Sequence, residues 1–223
     1  MHICIVGDSW GLGEWDSTKP PYKYENTHKG LQFYLEEKGH IVTNLSRAGA
    51  SNFEAYTQLE NSSYQNFDHI IWFKSDPLRS VFSFTKEFSE HPNFDKLLEL
   101  QTKDNDNQYK LFNQLGKKII CIGGAGKLDL KIIVKYNNLI PFIPALTEHF
   151  IKEYKHPKIW TSACWIDKIS LKNGKHTIDM LNSMQEQKHL LKNEKIYFWP
   201  DGEHLNRHGH KVLCDLLVKE YNF

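Results

Sequence analysis

The chain has 223 residues, of which 40% are hydrophobic and 25% charged, and 28 Lys+Arg stand against 27 Asp+Glu for a formal charge of +1. This is the make-up of an ordinary folded protein, which excludes a disordered, collagen-like or coiled-coil chain, and its near-neutral balance offers no field to gather nucleic acid or an anionic membrane. No apolar run approaches the ~20 residues that a bilayer-spanning helix needs.

Ile3 to Val6 is a first strand, stopped by Gly7-Asp8-Ser9, and a polar and aromatic loop follows through Gly11, Gly13, Pro20 and Pro21. His28 to Lys38 has Leu31, Tyr34 and Leu35 on one helical face, and Gly39 ends it. Ile41 to Leu45 is a second strand, Asn52 to about Tyr64 a second helix, and His69 to Phe73 a third strand whose unbroken apolar centre suits burial on both faces. A long insert runs from Leu78 to Leu115; Leu97, Leu100, Tyr109, Phe112 and Leu115 stand at roughly helical spacing, interrupted by the polar residues 103–107. Lys118 to Ile122 is a fourth strand. Leu139 to Ile143 is extended, and Pro141 makes it an edge strand or no strand at all. Leu146 to Tyr154 reads as a helix, 160–195 carries no clear pattern, and Glu203 to Tyr221 reads as a last helix. Strands alternating with helices in one domain, 1–223, predict an α/β fold with a central parallel sheet covered by helices on both faces.

Cys4, Cys121, Cys164 and Cys214 form no CxxC pair, which leaves no zinc ribbon or thioredoxin-like site. The first residues lack the basic start and long apolar stretch of a leader, so a cytoplasmic setting is expected.

Ligands of parallel sheets bind outside the carboxyl ends of the strands, and the polar residues of this chain collect there. The first strand ends at Gly7-Asp8-Ser9-Trp10, the second runs into Arg47-Ala48-Gly49-Ala50-Ser51-Asn52, and the third ends at Lys74-Ser75-Asp76-Pro77-Leu78-Arg79. Asp201 and His204 precede the last helix, three positions apart. A serine becomes a nucleophile when a base reaches its hydroxyl and a carboxylate orients that base. Ser9, His204 and Asp201 are the residues of the right types.

Gly7-Asp8-Ser9-Trp10 resembles the nucleophile block of the SGNH/GDSL hydrolases, with Trp10 where leucine is usual. Asp201-x-x-His204 is similar to that family's C-terminal block and Gly49 to its glycine block. The resemblance implies a three-layer α/β/α sandwich with a central parallel sheet of flavodoxin type, a Ser9–His204–Asp201 triad, and an oxyanion hole made by the backbone N–H groups of Ser9 and Gly49 with a side-chain amide. It also implies cleavage of carboxylic esters, with small acyl esters such as O-acetyl groups on a glycan favoured, and no cofactor. The third block departs from it. Asp76 falls where the family's oxyanion-binding asparagine stands, or Ser75 does if the alignment moves by one. An ionised Asp cannot donate, and losing one such donor costs ~3 kcal/mol of transition-state stabilisation. A protonated Asp76, the Ser75 hydroxyl, or Arg79 or Lys74 as a cation are three replacements. The same departure suits a rival reading, a module of this fold that binds a glycan or protein without catalysis; acyl transfer to an acceptor other than water would use the same triad.

Blander roles stand beside these. Gly-Asp-Ser suits any tight turn, and Asp201 is a good N-cap for the last helix. His204 and His208 are spaced to share a helix face, but no third ligand beyond Asp201 suggests itself, and no metal is expected. Gly123-Gly124-Ala125-Gly126-Lys127 lacks the first glycine and the Ser/Thr of a phosphate loop. Only three of the 28 basic residues are Arg, and Arg47, Arg79 and Arg207 each lie within three residues of a motif position. Arginine suits bidentate pairing with a carboxylate, so at least one is expected to hold a substrate acid group or Asp76, or to make a structural ion pair. Trp10, Trp15, Tyr22 and Tyr24 are either a sugar-stacking surface or the anchor of a long loop. Trp10, Arg47 and Arg79 are thus the candidate substrate contacts.

Overall fold

A computed structural model describes residues 1–17, 24–75, 94–124, 126–155, 195–198 and 204–223. They form two compact units, Met1–Gly11 with Gly39–Leu146, and Leu12–Lys38 with Thr147–Phe223.

The first unit is built on β1 (His2–Gly7), which leads into the single turn α1 (Ser9–Leu12). Between them in the chain and the next sheet strand lie β2 (Glu14–Ser17), β3 (Tyr24–His28) and α2 (Leu31–Glu37) of the second unit. The sheet continues with β4 (Ile41–Asn44), β5 (His69–Lys74), β6 (Ile119–Gly123) and β7 (Leu139–Ile143). The helices of this unit are α3 (Asn52–Glu60), α4 (Phe94–Gln114) and the short α5 (Leu130–Ile133). All sheet pairs are parallel, in the order β4-β1-β5-β6-β7. Numbered among themselves, the five strands run 2-1-3-4-5, the flavodoxin-type doubly wound order, so the predicted α/β class with its central parallel sheet holds. The switch point lies between β1 and β5, where the chain leaves for opposite sides of the sheet.

Strand alternation sorts the core. Cys4, Val6, Ile70, Trp72 and Cys121 share one face with Ala55 and Leu59 of α3 and Tyr109 and Phe112 of α4. Trp72 stacks on Phe112 with ring centroids 3.9 Å apart, and Tyr109 meets its edge. The opposite face, with Ile3, Ile5, Ile71, Phe73, Ile120 and Ile122, is buried as completely, which explains why these strands read as unbroken apolar runs. Pro141 is accommodated as expected: β7 is an edge strand, and its register slips beside the proline, from Cys121↔Pro141 to Ile122↔Ile143. Burial pushes the Cys4 thiol up to about 12, which keeps it an inert packing group.

In the second unit β2 and β3 form an antiparallel hairpin with a bulge after Glu14. α2 packs against α7 (Arg207–Tyr221), burying Leu31 and Leu35 on one side and Leu213 and Leu217 on the other. Lys38 meets Asp215 at 3.2 Å. Phe150 of α6 (Leu146–Glu153) rests against Tyr154, Tyr197 and Phe198.

Four expectations change. The aromatic loop after Gly13 contains the β2–β3 hairpin, because Trp15 turns inward. Residues 103–107 do not interrupt the insert's helix, since α4 runs through them; Asn105 and Gln108 are buried there, and Gln108 finds a polar partner inside. The helix expected from Asn52 to Tyr64 stops at Glu60 and gives way to a 3-10 turn at Tyr64–Asn66. The last helix starts at Arg207 rather than at Glu203. Its N-cap is Asn206, whose side chain accepts the Gly209 N–H, so an Asp201 cap and a His204/His208 pair on one helix face are both ruled out.

Candidate functional site

At the switch point the turn after β1 is braced from several sides. Gly7 has φ +150°, and a Cβ there would lie 2.5 Å from the Phe73 carbonyl oxygen, so only glycine lets β1 and β5 approach this closely. Asp8 is fully buried; its Oδ1 accepts the Trp10 N–H at 3.0 Å and its carbonyl accepts the Gly11 N–H at 3.1 Å. The side chain therefore caps α1, and Ser9 is the first residue of that turn. From β4, Asn44 donates to the Gly11 carbonyl at 2.9 Å and accepts the Ser46 N–H at 3.0 Å. Trp10 is buried, its ring 3.1 Å from where a Cβ on Gly124 would sit. Gly49 is exposed with φ +73°, a conformation that favours glycine.

Sequence reasoning missed Asn52. This first residue of α3 is 1% exposed, and its amide is paired with the backbone at the end of β5: Oδ1 accepts the Ser75 N–H at 2.8 Å while Nδ2 donates to the Ser75 carbonyl at 2.9 Å. Nδ2 also donates to Gln108 Oε1 at 2.8 Å, and Gln108 in turn donates to Asp104. Asn52 Nδ2 thus donates both to the strand end and to Gln108 on α4. The one available signal was the Ser51-x-x-Glu54 pattern, a capping box in which Glu54 accepts the Ser51 N–H at 2.7 Å and Ser51 Oγ accepts the Glu54 N–H. Lys74, the last residue of β5, is fully buried, and its Nζ comes within 3.0 Å of a Cβ position on Gly126.

Arg47 is exposed on the turn after β4, where its N–H donates to the Gly7 carbonyl at 3.1 Å. Asp76, Arg79 and Asp201 lie outside the described residues.

In the second unit His204 sits in a bend, followed by Leu205, which bridges to Phe198, and by the capping Asn206. The Trp15 ring faces the His204 imidazole, with centroids 6.2 Å apart and planes inclined by 49°. Arg207 answers the arginine question in the structural sense: its guanidinium forks onto Glu14, Nη2 to Oε1 at 2.7 Å and Nε to both oxygens at 3.2 Å. The Arg207 backbone N–H also donates to Glu14 Oε2, and Thr27 Oγ1 donates to Oε1 at 3.3 Å. Burial alone would raise the Glu14 pKa, but the hydrogen bonds and charge of Arg207 outweigh it and hold the carboxyl below its ordinary range. His210, one turn along α7, is wholly buried, and burial pushes its pKa down to about 4.

Among the described residues no group of three or more His, Cys, Asp or Glu could hold a metal ion, and no helix is long and apolar enough to cross a membrane.

No family model matches the sequence, and no curated protein does. Solved structures give distant likenesses. A lipase/acylhydrolase from Enterococcus faecalis is 14% identical with a TM-score of 0.46, over 98% of this chain and 94% of that one. An acetyl xylan esterase is 16% identical with a TM-score of 0.43, over 99% and 100%. A variant of an acetyl xylan esterase from Geobacillus stearothermophilus is 17% identical with a TM-score of 0.43, over 98% and 93%. At these values the likenesses carry nothing about activity, and the activities named belong to those proteins.

Proposed function

We propose that the chain is a serine esterase of SGNH type, folded as one domain over 1–223 and cleaving small carboxylic esters, O-acetyl groups on a glycan among them. One observation supports this most: Ser9 opens a capped turn at the carboxyl end of β1, beside β5, at the switch point where sheets of this order bind their ligands. The motif resemblance supplies the partners, His204 as base and Asp201 as its orienting carboxylate. In this reading the His204 imidazole takes the Ser9 hydroxyl proton as Oγ adds to the acyl carbon. The backbone N–H groups of Ser9 and Gly49 stabilise the oxyanion, joined by Asp76 in its protonated form, by the Ser75 hydroxyl, or by Arg79 or Lys74 as a cation. The alcohol leaves with the proton that His204 returns. Water then gives a proton to the same histidine, attacks the acyl-enzyme, and releases the acid and free Ser9. Arg47, Arg79 and Trp10 are the proposed substrate contacts. The reading needs neither metal nor organic cofactor, no nucleic acid and no membrane, and it suits a cytoplasmic setting.

The test is covalent labelling with a fluorophosphonate, read by intact mass and peptide mapping. Stoichiometric labelling at Ser9, absent in Ser9→Ala and His204→Ala, is the expected result. A folded wild-type protein that takes no label would overturn the esterase reading and favour the non-catalytic binding module, to which Asp76 in the third block lends itself.

A further inference from the structure

The hairpin between β1 and α2 interrupts the sheet's chain order, and two consecutive residues of it reach the segment that carries His204. Trp15 faces the imidazole across 6.2 Å. Glu14 holds the residue three positions further on, through both the Arg207 backbone N–H and its guanidinium. A carboxylate that binds main chain and side chain of one residue fixes that residue's position and its orientation together. Its own place is secured by Thr27 of β3 and by burial, since the Glu14 side chain is 6% exposed against 51% for Arg207.

We propose that Glu14 and Trp15 are positioning residues for His204, Trp15 setting the plane of the imidazole and Glu14 anchoring its segment and balancing the charge of Arg207, three positions further along. The proposal rests on His204 being the base of the proposed esterase. It gives the hairpin a task in the reaction through the segment that carries His204. The other titratable groups facing this pair are His28 at the end of β3, Tyr34 on α2 and His210 on α7, which also feels the His204 charge.

The experiment compares wild type, Glu14→Gln and Trp15→Leu by the rate of fluorophosphonate labelling at Ser9 against pH, and by NMR titration of the His204 imidazole. In Glu14→Gln the uncompensated Arg207 cation disfavours imidazolium. The acid limb and the NMR midpoint should therefore both move down by about half a pH unit, and the plateau rate should fall at least tenfold. Trp15→Leu should lower the plateau tenfold with little movement of the midpoint. A merely structural loss would lower the melting temperature and leave both midpoints where they were. Labelled wild type with unchanged plateau and midpoint in Glu14→Gln overturns the proposal and leaves the esterase reading standing. Unlabelled wild type overturns that reading, and this inference with it. Should Glu14→Gln not fold, Arg207→Lys keeps the charge and removes the fork: the plateau should drop while the midpoint holds, and an unchanged plateau would refute the anchoring role.

Discussion

Replacing Asn52 by Ala removes three hydrogen bonds at once, at 2.8, 2.9 and 2.8 Å, from a side chain that is 1% exposed. The Ser75 N–H and carbonyl and Gln108 Oε1 each lose this partner where water does not readily replace it, and a buried polar group so deserted costs about 1–3 kcal/mol. The expected loss is therefore at least about 3 kcal/mol, against a total of about 5–15 kcal/mol for a typical domain. Urea unfolding of wild type and Asn52→Ala measures it as a shift in midpoint at constant slope. Asn52→Asp sharpens the test because shape is kept while donors are lost. At neutral pH its carboxylate still accepts the Ser75 N–H but opposes the Ser75 carbonyl and Gln108 Oε1, so it should be no more stable than the alanine variant. Facing these oxygens, the new carboxyl has a raised pKa in the folded state. Stability should therefore recover as pH falls through that value, where the protonated group donates again. An alanine variant that loses less than about 1 kcal/mol, or an aspartate variant indifferent to pH, would refute this account of the end of β5.

Two further outcomes follow from neighbouring elements. Gly7→Ala places a Cβ 2.5 Å from the Phe73 carbonyl at φ +150°; it should cost more than about 2 kcal/mol in denaturant unfolding and slow labelling of Ser9. His210 is neutral when folded, because burial outweighs the Gly13 carbonyl and the Glu14 carboxylate that favour its charged form. Its folded value of about 4 lies below the usual 6.5, so the unfolded chain takes up the proton first as pH falls. The resulting stability is complete above about pH 6.5, is lost progressively toward pH 4, and amounts to about 3 kcal/mol. His210→Phe should flatten that stretch of the stability curve, and an unchanged curve would assign the acid sensitivity elsewhere.

Much of the sheet was legible in the sequence because strands buried on both faces leave a pattern that needs no partner to interpret. Ile70-Ile71-Trp72-Phe73 is such a run, and Pro141 announces an edge. What escaped notice depends on residues remote in the chain. The polar residues 103–107 look like a break in a helix until Asn52, more than fifty residues earlier, is seen to meet the neighbouring Gln108 inside. Arg207 was one of three arginines of which at least one was expected to hold a substrate acid group or Asp76, or to make a structural ion pair, but nothing local marks Glu14, 193 positions away, as its partner. Asp201 had the chemistry of a helix cap. Asn206 has it as well, and also the backbone of 195–198 to bind, which favours the later start.

That second set of bonds makes Asn206 a case where capping preference alone gives the wrong answer. Asp and Asn are about equally good N-caps, so by local rules Asn206→Asp should be harmless. Here Oδ1 accepts the Gly209 N–H at 3.0 Å, while Nδ2 donates to the carbonyls of Ile196 at 2.7 Å and Phe198 at 3.4 Å. An aspartate would keep the cap and turn a carboxylate oxygen toward two carbonyls in a site that is 1% exposed. The expected cost is about 2–3 kcal/mol, the loss of a buried donor with repulsion added. Asn206→Ser keeps a capping oxygen without the charge and should cost less. The same bonds hold residues 195–198 against the stretch that includes His204. In the esterase reading Asn206→Asp should therefore slow Ser9 labelling more than Asn206→Ser does. Equal stability and equal labelling in the two variants would mean that Asn206 is a cap and nothing more.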